Sequence, residues 1–295
     1  MEIKSSEMPL KDGGKIYHLN LVPEELGNTV ILVGDPGRVP AVSARFDSVT
    51  VKRANREIVT HSGMLNGQFI TVLSTGMGTD NIDIVVNELD ALVNIDIAKG
   101  VVRPERKSLN IIRIGTCGIL QGDIPLEGFI ASEYGFGFDG LLQFYDHGDI
   151  SRDDIVEAFV RQTGWDERLP YPYCVKGDDH LLQTVAHDMH RGITASAPGF
   201  YGPQGREIRA KLRFPELIHR TERFNYEKHR ITNLEMECSA IYGLGKLLGH
   251  RALTVCVGIA NRVTGDFSAN YQPAMDKLID TVLERVGRLE VNLTI

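Results

Sequence analysis

Positive charge is in short supply in this chain: 32 Lys and Arg face 39 Asp and Glu, for a formal net charge of −7. General binding of nucleic acid needs a basic surface, so that class of function is excluded. An anionic small ligand needs only a few local arginines and is not excluded. Cysteine is sparse as well. Cys117, Cys174, Cys238 and Cys256 are widely spaced and form no CxxC pair, which predicts free buried thiols in a reducing compartment. No apolar run approaches the roughly 20 residues of a membrane span, so no membrane partner is expected. The opening stretch MEIKSSEMPLKDGGK lacks the apolar centre of a signal peptide, and the expected location is cytoplasmic. GxSxG, P-loop and HExxH signatures are missing, and the nine histidines are scattered without metal-site spacing. No metal is expected.

The chain is also without a Pro/Ser-rich linker, an internal repeat or a shift in composition along its 295 residues. Length alone suggests two domains at about 150 residues each, but with nothing to divide it, one large domain over 16–295 after a polar N-terminal segment over 1–15 is expected. Hydrophobic residues at 42% and charged residues at 24% suffice for a sizeable core.

What is present alternates between strand and helix patterns. TVILVGD (29–35) reads as a buried strand, and Pro36 is placed to open a helix, where its missing N–H costs nothing. Residues 57–65 and 68–75 read as strands joined at Asn66-Gly67, a hairpin signal because both residues tolerate positive φ. After Gly76-Met77-Gly78, IDIVVNELDALVNI (82–95) has helical apolar spacing. LNIIRIGT (109–116), EGFIASEYGF (127–136), GITASAP (192–198) and ALTVCVGIAN (252–261) read as strands. MECSAIYGLGKLLGH (236–250) reads as a helix stopped by Gly249. A last helix starts at Pro273 and sets Met275, Leu278, Ile279, Val282, Leu283, Val286 and Leu289 on one stripe. The alternation gives an α/β class, and the hairpin implies a mixed sheet.

Several apolar strands end in turns that carry chemistry, and in α/β sheets ligands collect at such ends. Gly34-Asp35-Pro36-Gly37-Arg38 offers backbone N–H groups and a guanidinium fork to an anion; the alternative is a turn with a solvated Arg. Arg113 lies inside an apolar strand, where an unpaired charge is costly. It must meet an anion or a carboxylate, Glu88 being one candidate. Glu235-Met236-Glu237 either complements a helix dipole or accepts from sugar hydroxyls. Gln204 and Arg206, in a Gly/Pro-rich loop, offer an amide edge and a donor fork that suit a planar heterocycle with carbonyl and N–H groups; the alternative is an exposed loop.

In this order, GDPGR, NRE, RIGTCG, GFYGPQGR, LEMECSA and IANR resemble the nucleoside phosphorylase-I family, and within it the uridine phosphorylases, over about His18 to Arg262. The resemblance implies a single-domain three-layer α/β/α sandwich with a central mixed, partly barrel-like sheet. It implies a pentosyltransferase of pyrimidine salvage: reversible phosphorolysis of uridine to uracil and ribose 1-phosphate, with inorganic phosphate as co-substrate and no other cofactor. By resemblance Gly34, Arg38, Arg113 and Thr116 hold phosphate, joined by Arg56 of an adjoining subunit. His18, crossing the same interface, holds the ribose with Thr116, Met236 and Glu237. Gly118, Phe200, Gln204, Arg206 and Arg262 hold the base. Arg38, Arg113, Gln204, Arg206 and Glu237 are the expected catalytic set. The chain is expected to pair with itself, as a homodimer or a dimer-based hexamer with shared active sites.

The pattern is not followed everywhere. Residues 94–108 form a longer, more charged connection, and 135–175, with the single Trp165, matches poorly. Asn81 stands where some members carry a small hydroxyl residue beside an interfacial monovalent cation. Related purine enzymes carry Ser-Asp, with the Asp as general acid, where this chain has Ala260-Asn261. The rival readings are a purine or broad-specificity phosphorylase, a nucleosidase of the same fold, and a non-catalytic nucleoside-binding protein.

Overall fold

The computed structural model describes residues 3–289. Residues 1–2 of the N-terminal segment and 290–295 at the end of the expected domain lie outside the described residues. A fully buried strand, β1 (Thr29–Val33), sits near the middle of the sheet. Its β-branched run suits a position covered on both faces. Strands β2 (Ser48–Asn55), β3 (Ile58–Leu65) and β4 (Gln68–Ser74) extend the sheet to one side, with β4 parallel to β1 and β2–β3–β4 antiparallel. The hairpin at Asn66-Gly67 forms as expected, with φ of 50° and 79°, the positive pair a two-residue turn requires.

On the other side of β1 the sheet curls into a ring. Its strands are β5 (Asn110–Ile119), β6 (Phe129–Gly137), β8 (His190–Ser196), β9 (His229–Glu235) and β10 (Arg251–Asn261), with β7 (Tyr173–Lys176) an antiparallel side branch on β6. Running β5–β10–β6–β8–β9, the ring closes where β9 pairs with β5 through Asn233↔Ile119 and Leu234↔Gly118. Parallel and antiparallel pairs mix, as the hairpin implied.

Helices cover both faces. Ile31 and Val33 of β1 point into a core shared with α1 (Arg38–Ser43), α4 (Asp179–Val185) and α7 (Gln272–Val286). Val30 and Leu32 point the other way, against α2 (Thr79–Asn94) and α6 (Cys238–Leu247). Each buried Leu or Val contributes about 1.5–3 kcal/mol, so this alternation fixes β1 between two helical layers. The expected stripe of α7 is buried from Met275 to Val286. Helices α3 (Asp153–Thr163) and α5 (Leu217–Arg223) pack beside the ring around an aromatic cluster of Phe136, Phe138, Phe159, Trp165 and Phe224.

Several boundaries move from expectation, each for a local reason. Pro36 does not open α1: the Asp35 carboxylate accepts from the Gly37 N–H at 2.8 Å, so Pro36 belongs to that turn and the helix begins at Arg38. Helix α6 begins at Cys238 because Glu235 accepts the N–H groups of Glu237 and Cys238. Helix α2 starts at Thr79, ahead of its apolar run, and α7 at Gln272, one residue before Pro273. Strand β5 continues beyond Thr116 to Ile119, because β10 and β9 both pair with its end.

Candidate active site

A cleft of ≈ 590 Å³ opens where β1, β4, β5, β9 and β10 end. The register of β5 beside β1 and β10 brings Arg113 level with Leu32, one residue before the end of β1, and with Thr254 in the first half of β10. Gly34, Arg38, Arg113, Thr116, Gly118, Phe200, Gln204, Arg206, Met236 and Glu237 all line this one cleft. Residues as far apart in the chain as Gly34 and Glu237 are thus gathered as the strand order requires.

At one end, Arg38 projects from the first turn of α1 and donates weakly to the Ile114 carbonyl at 3.5 Å. It has no ion-pair partner among the described residues. Burial lowers its pKa, and the charge of Arg113 lowers it further. An unpaired, partly desolvated guanidinium of this kind is a receptor for an anion. Gly34 lies close enough to the Gly76 carbonyl that an added Cβ would come within 3.3 Å, so a side chain at this corner would crowd that carbonyl.

Arg113 has found carboxylates, but not Glu88. Its Nη2 donates to Glu237 Oε2, and its Nη1 lies 3.3 Å from Glu235 Oε2. Glu88 is instead engaged by His18, whose Nδ1 sits 2.6 Å from Oε1 and whose backbone N–H donates to the same carboxylate. Burial opposes the charge of Arg113, but Glu237 and then Glu235 outweigh it and hold its pKa above the ordinary Arg range. Gly115, two residues along the same strand face, makes room for this guanidinium: a Cβ there would lie 2.2 Å from Nη1. Glu237 also accepts from the Gly78 N–H at 2.8 Å, which ties it to the start of α2. Glu235 is fixed by the Ser196 hydroxyl at 2.6 Å as well as by the start of α6. Burial raises its pKa against the pull of Arg113.

At the other end, Gln204 is buried and Arg206 half-buried. Arg206 donates to Gln204 Oε1 at 2.6 Å and to the Phe200 carbonyl at 2.8 Å, and its guanidinium lies 4.0 Å from the Phe200 ring centroid. Burial, then the nearby Arg262, bring its pKa down to about 10. Arg262 packs beside the cleft, its Cγ 3.8 Å from where a Cβ on Gly118 would stand, but its guanidinium is turned to the carbonyls of Gln204 and Gly205. Asn261 is likewise turned away. Its amide donates to the Gln121 and Ile124 carbonyls, and its oxygen accepts from Val263 and Thr264.

His18 and Arg56 also lie off the cleft. Arg56 is exposed in the β2–β3 turn at φ 54°. The two segments are joined, because the Asn55 amide donates to the His18 carbonyl at 2.9 Å, so they form one patch on the outer surface. Asn81 donates to the Thr75 carbonyl at 2.8 Å, within the chain's own β4–α2 turn.

The cleft also contains residues to which the sequence gave no binding role: Asp35, Glu57, Met77, Phe267 and Tyr271. Met77 and Phe267 are exposed apolar side chains at its rim. Neither sits in a pattern with a period, so only the folded chain places them. All four cysteines are free and buried. Among the described residues no helix is long and apolar enough to cross a membrane.

Comparison with known proteins gives one consistent result. Residues 28–286 match the family model of the phosphorylase superfamily. The uridine phosphorylase of Thermococcus kodakarensis is 30% identical over 266 residues, covering 89% of this chain and 83% of that one. A DeoD-type purine nucleoside phosphorylase of Vibrio cholerae is 25% identical over 277 residues, covering 90% and 96%. Among solved structures, a Trypanosoma brucei nucleoside phosphorylase described as showing uridine phosphorylase activity superposes with a TM-score of 0.85 at 30% identity, over 94% of this chain and 98% of that one.

Proposed function

This chain belongs to the phosphorylase superfamily, and we propose that within it the chain is a uridine phosphorylase, cleaving uridine with inorganic phosphate to uracil and ribose 1-phosphate. The observation that carries the choice of base is where the acids lie. The carboxylates of the cleft, Asp35, Glu57, Glu235 and Glu237, come from the β1, β3, and β9 ends; the base end is lined by Gly118, Phe200, Gln204, Arg206, Ile259, Ala260 and Phe267. A purine leaving group is helped by an acid that protonates its ring nitrogen. Uracil spreads its charge over two carbonyls and needs only donors, which Gln204 and Arg206 supply.

In this reading the phosphate takes Arg38, the Gly34 N–H and Thr116, with Arg56 of a second copy closing the site. His18 of that copy reaches the ribose. Glu237, held by Arg113 and Gly78, accepts from the ribose hydroxyls beside Met236. The C1′–N1 bond breaks as a phosphate oxygen bonds to C1′, and the electron pair leaves with the base. Positive charge growing on the sugar then faces phosphate and Glu237. Holding both reactants in place can remove up to about 7–11 kcal/mol of barrier, and donors preset on the departing base contribute several more. No covalent intermediate is needed.

The test is a spectrophotometric screen of uridine, inosine and cytidine with and without phosphate. Uridine cleavage that depends on phosphate or arsenate is expected. Equal cleavage in phosphate-free buffer would make the protein a nucleosidase, faster turnover of inosine a purine enzyme, and no product from any nucleoside a binding protein.

A further inference from the structure

Behind the loop that carries Gln204 and Arg206 lies a second cavity, of ≈ 330 Å³. One wall comes from 135–175, a region whose sequence matches the family pattern poorly: Phe138, Trp165, Leu169 and Pro170. The other comes from the base loop and α5, including Pro203, Gly205, Leu212, Phe214 and Ile218. The two cavities share a thin partition. In the turn Gly202–Gln204, Gln204 faces the cleft, while Gly202, Pro203 and then Gly205 face the second cavity. Gly205, at φ +69°, is pressed against α5, where an added Cβ would lie 2.7 Å from Ile218 Cβ.

The interior is apolar, and its polar groups are already satisfied. The Trp165 indole N–H donates to the Pro170 carbonyl at 3.0 Å, and the Thr221 hydroxyl to the Leu217 carbonyl at 2.8 Å. Aromatic rings from Phe138, Trp165 and Phe214 face the space. The charges at the rim do not cancel. Lys211 is paired with Glu207, and Asp166 is taken by Arg168. Arg213, exposed at the mouth, makes no ion pair among the described residues, although the Asp166 carboxylate that Arg168 holds also feels its charge. The volume falls at the lower end of small-molecule sites, which are mostly apolar with a few polar groups fixing orientation.

We infer that this cavity is a binding site for a small aromatic carboxylate, its ring against Trp165, Phe138 and Phe214 and its acid group on Arg213, and that occupancy braces the turn holding Gln204. Aromatic side chains favour an aromatic guest through offset or edge contacts, and the unpaired guanidinium selects the acid over its neutral analogue. A guest filling the cavity stiffens the far side of the partition, so uridine meets Gln204 already in place. The bracing rests on the uridine reading; the binding does not.

Trp165 is the only tryptophan, so its emission reports occupancy directly. The probes are 3-phenylpropanoate and the neutral 3-phenylpropan-1-ol, with wild-type protein and Arg213→Ala. A saturable change in Trp165 emission is expected with both, the acid binding about two- to fivefold more tightly, as one exposed ion pair allows. Arg213→Ala should abolish that preference and leave the alcohol unaffected. Saturating 3-phenylpropanoate should lower the uridine KM by about fivefold and leave the phosphate KM unchanged. Emission that does not saturate, equal binding of acid and alcohol, or a preference that survives Arg213→Ala overturns the site. Saturable binding with an unchanged uridine KM overturns the bracing. Failure of the protein to cleave uridine at all would strike the functional reading while the fluorescence titration still decided the site.

Discussion

Adding one methyl group at Gly115 tests how the centre of the cleft is held. The new Cβ would lie 2.2 Å from Arg113 Nη1, 2.7 Å from Cζ and 3.0 Å from Nη2. Restoring a contact of about 3.5 Å or more requires the guanidinium to move by more than about 1 Å. On a surface, the end of an Arg side chain would swing away at little cost. Here Arg113 is 5% exposed, is gripped by Glu237 and Glu235, and has Cys256 Sγ 3.4 Å from Nη1. If the guanidinium leaves, a buried ion pair breaks, at about 3–5 kcal/mol. If the strand yields instead, overpacking costs about 1–3 kcal/mol. Gly115→Ala should therefore lose about 3 kcal/mol of stability, read from the urea midpoint at unchanged m. With Glu237 no longer aimed, uridine turnover should fall about 10²-fold or more. Combining it with Arg113→Lys, whose slimmer ammonium can pass the methyl but cannot fork to two carboxylates, should recover stability and not turnover. If Gly115→Ala stays within about 0.5 kcal/mol of wild type and remains active, the guanidinium is free to leave and the carboxylates do not hold it.

Gln204→Ala and Arg206→Ala should each lower uridine turnover by about 10²-fold or more with little change in phosphate KM; near-normal activity in both variants, measured by steady-state kinetics, would remove the pyrimidine assignment. Mixing inactive Arg56→Ala with inactive Glu237→Ala should restore some activity, since one hybrid site regains both groups; no recovery after demonstrated subunit exchange would count against a shared site. Glu235 has a folded-state pKa raised by burial from 4.5 to about 7, so the folded chain keeps a proton that the unfolded chain releases. The stability it contributes is present below about pH 4.5 and is lost as the pH rises through about 7. Glu235→Gln should flatten the fall in Tm over that window, and an equally steep fall in the variant would refute the assignment.

Much of the architecture was legible from periodicity alone. The β-branched run of β1, the Asn66-Gly67 turn and the stripe of α7 each obey a local rule that tertiary packing had no reason to override. The element ends were less legible, because they depend on partners. Pro36 is absorbed by Asp35, and α6 starts late because Glu235 reaches forward to its first N–H groups. For Arg113, sequence required a counter-charge, since a lone buried cation is too costly. Which carboxylate supplies it could not be read: Glu88 and Glu237 are both distant in the chain, and only the closure of β9 onto β5 brings Glu235 and Glu237 to Arg113 while His18 takes Glu88. The resemblance made Arg262 a base contact; in the structure its guanidinium donates to the Gln204 and Gly205 carbonyls of the base loop, a partner no local pattern names. Sequence by itself determined which anion- and hydroxyl-binding residue types are present and in what order, and a family resemblance gave them expected roles, because type and order are written along the chain. The ring of strands decided which of them share a cleft, which neutralise one another and which face outward, because those are long-range distances that no local pattern encodes.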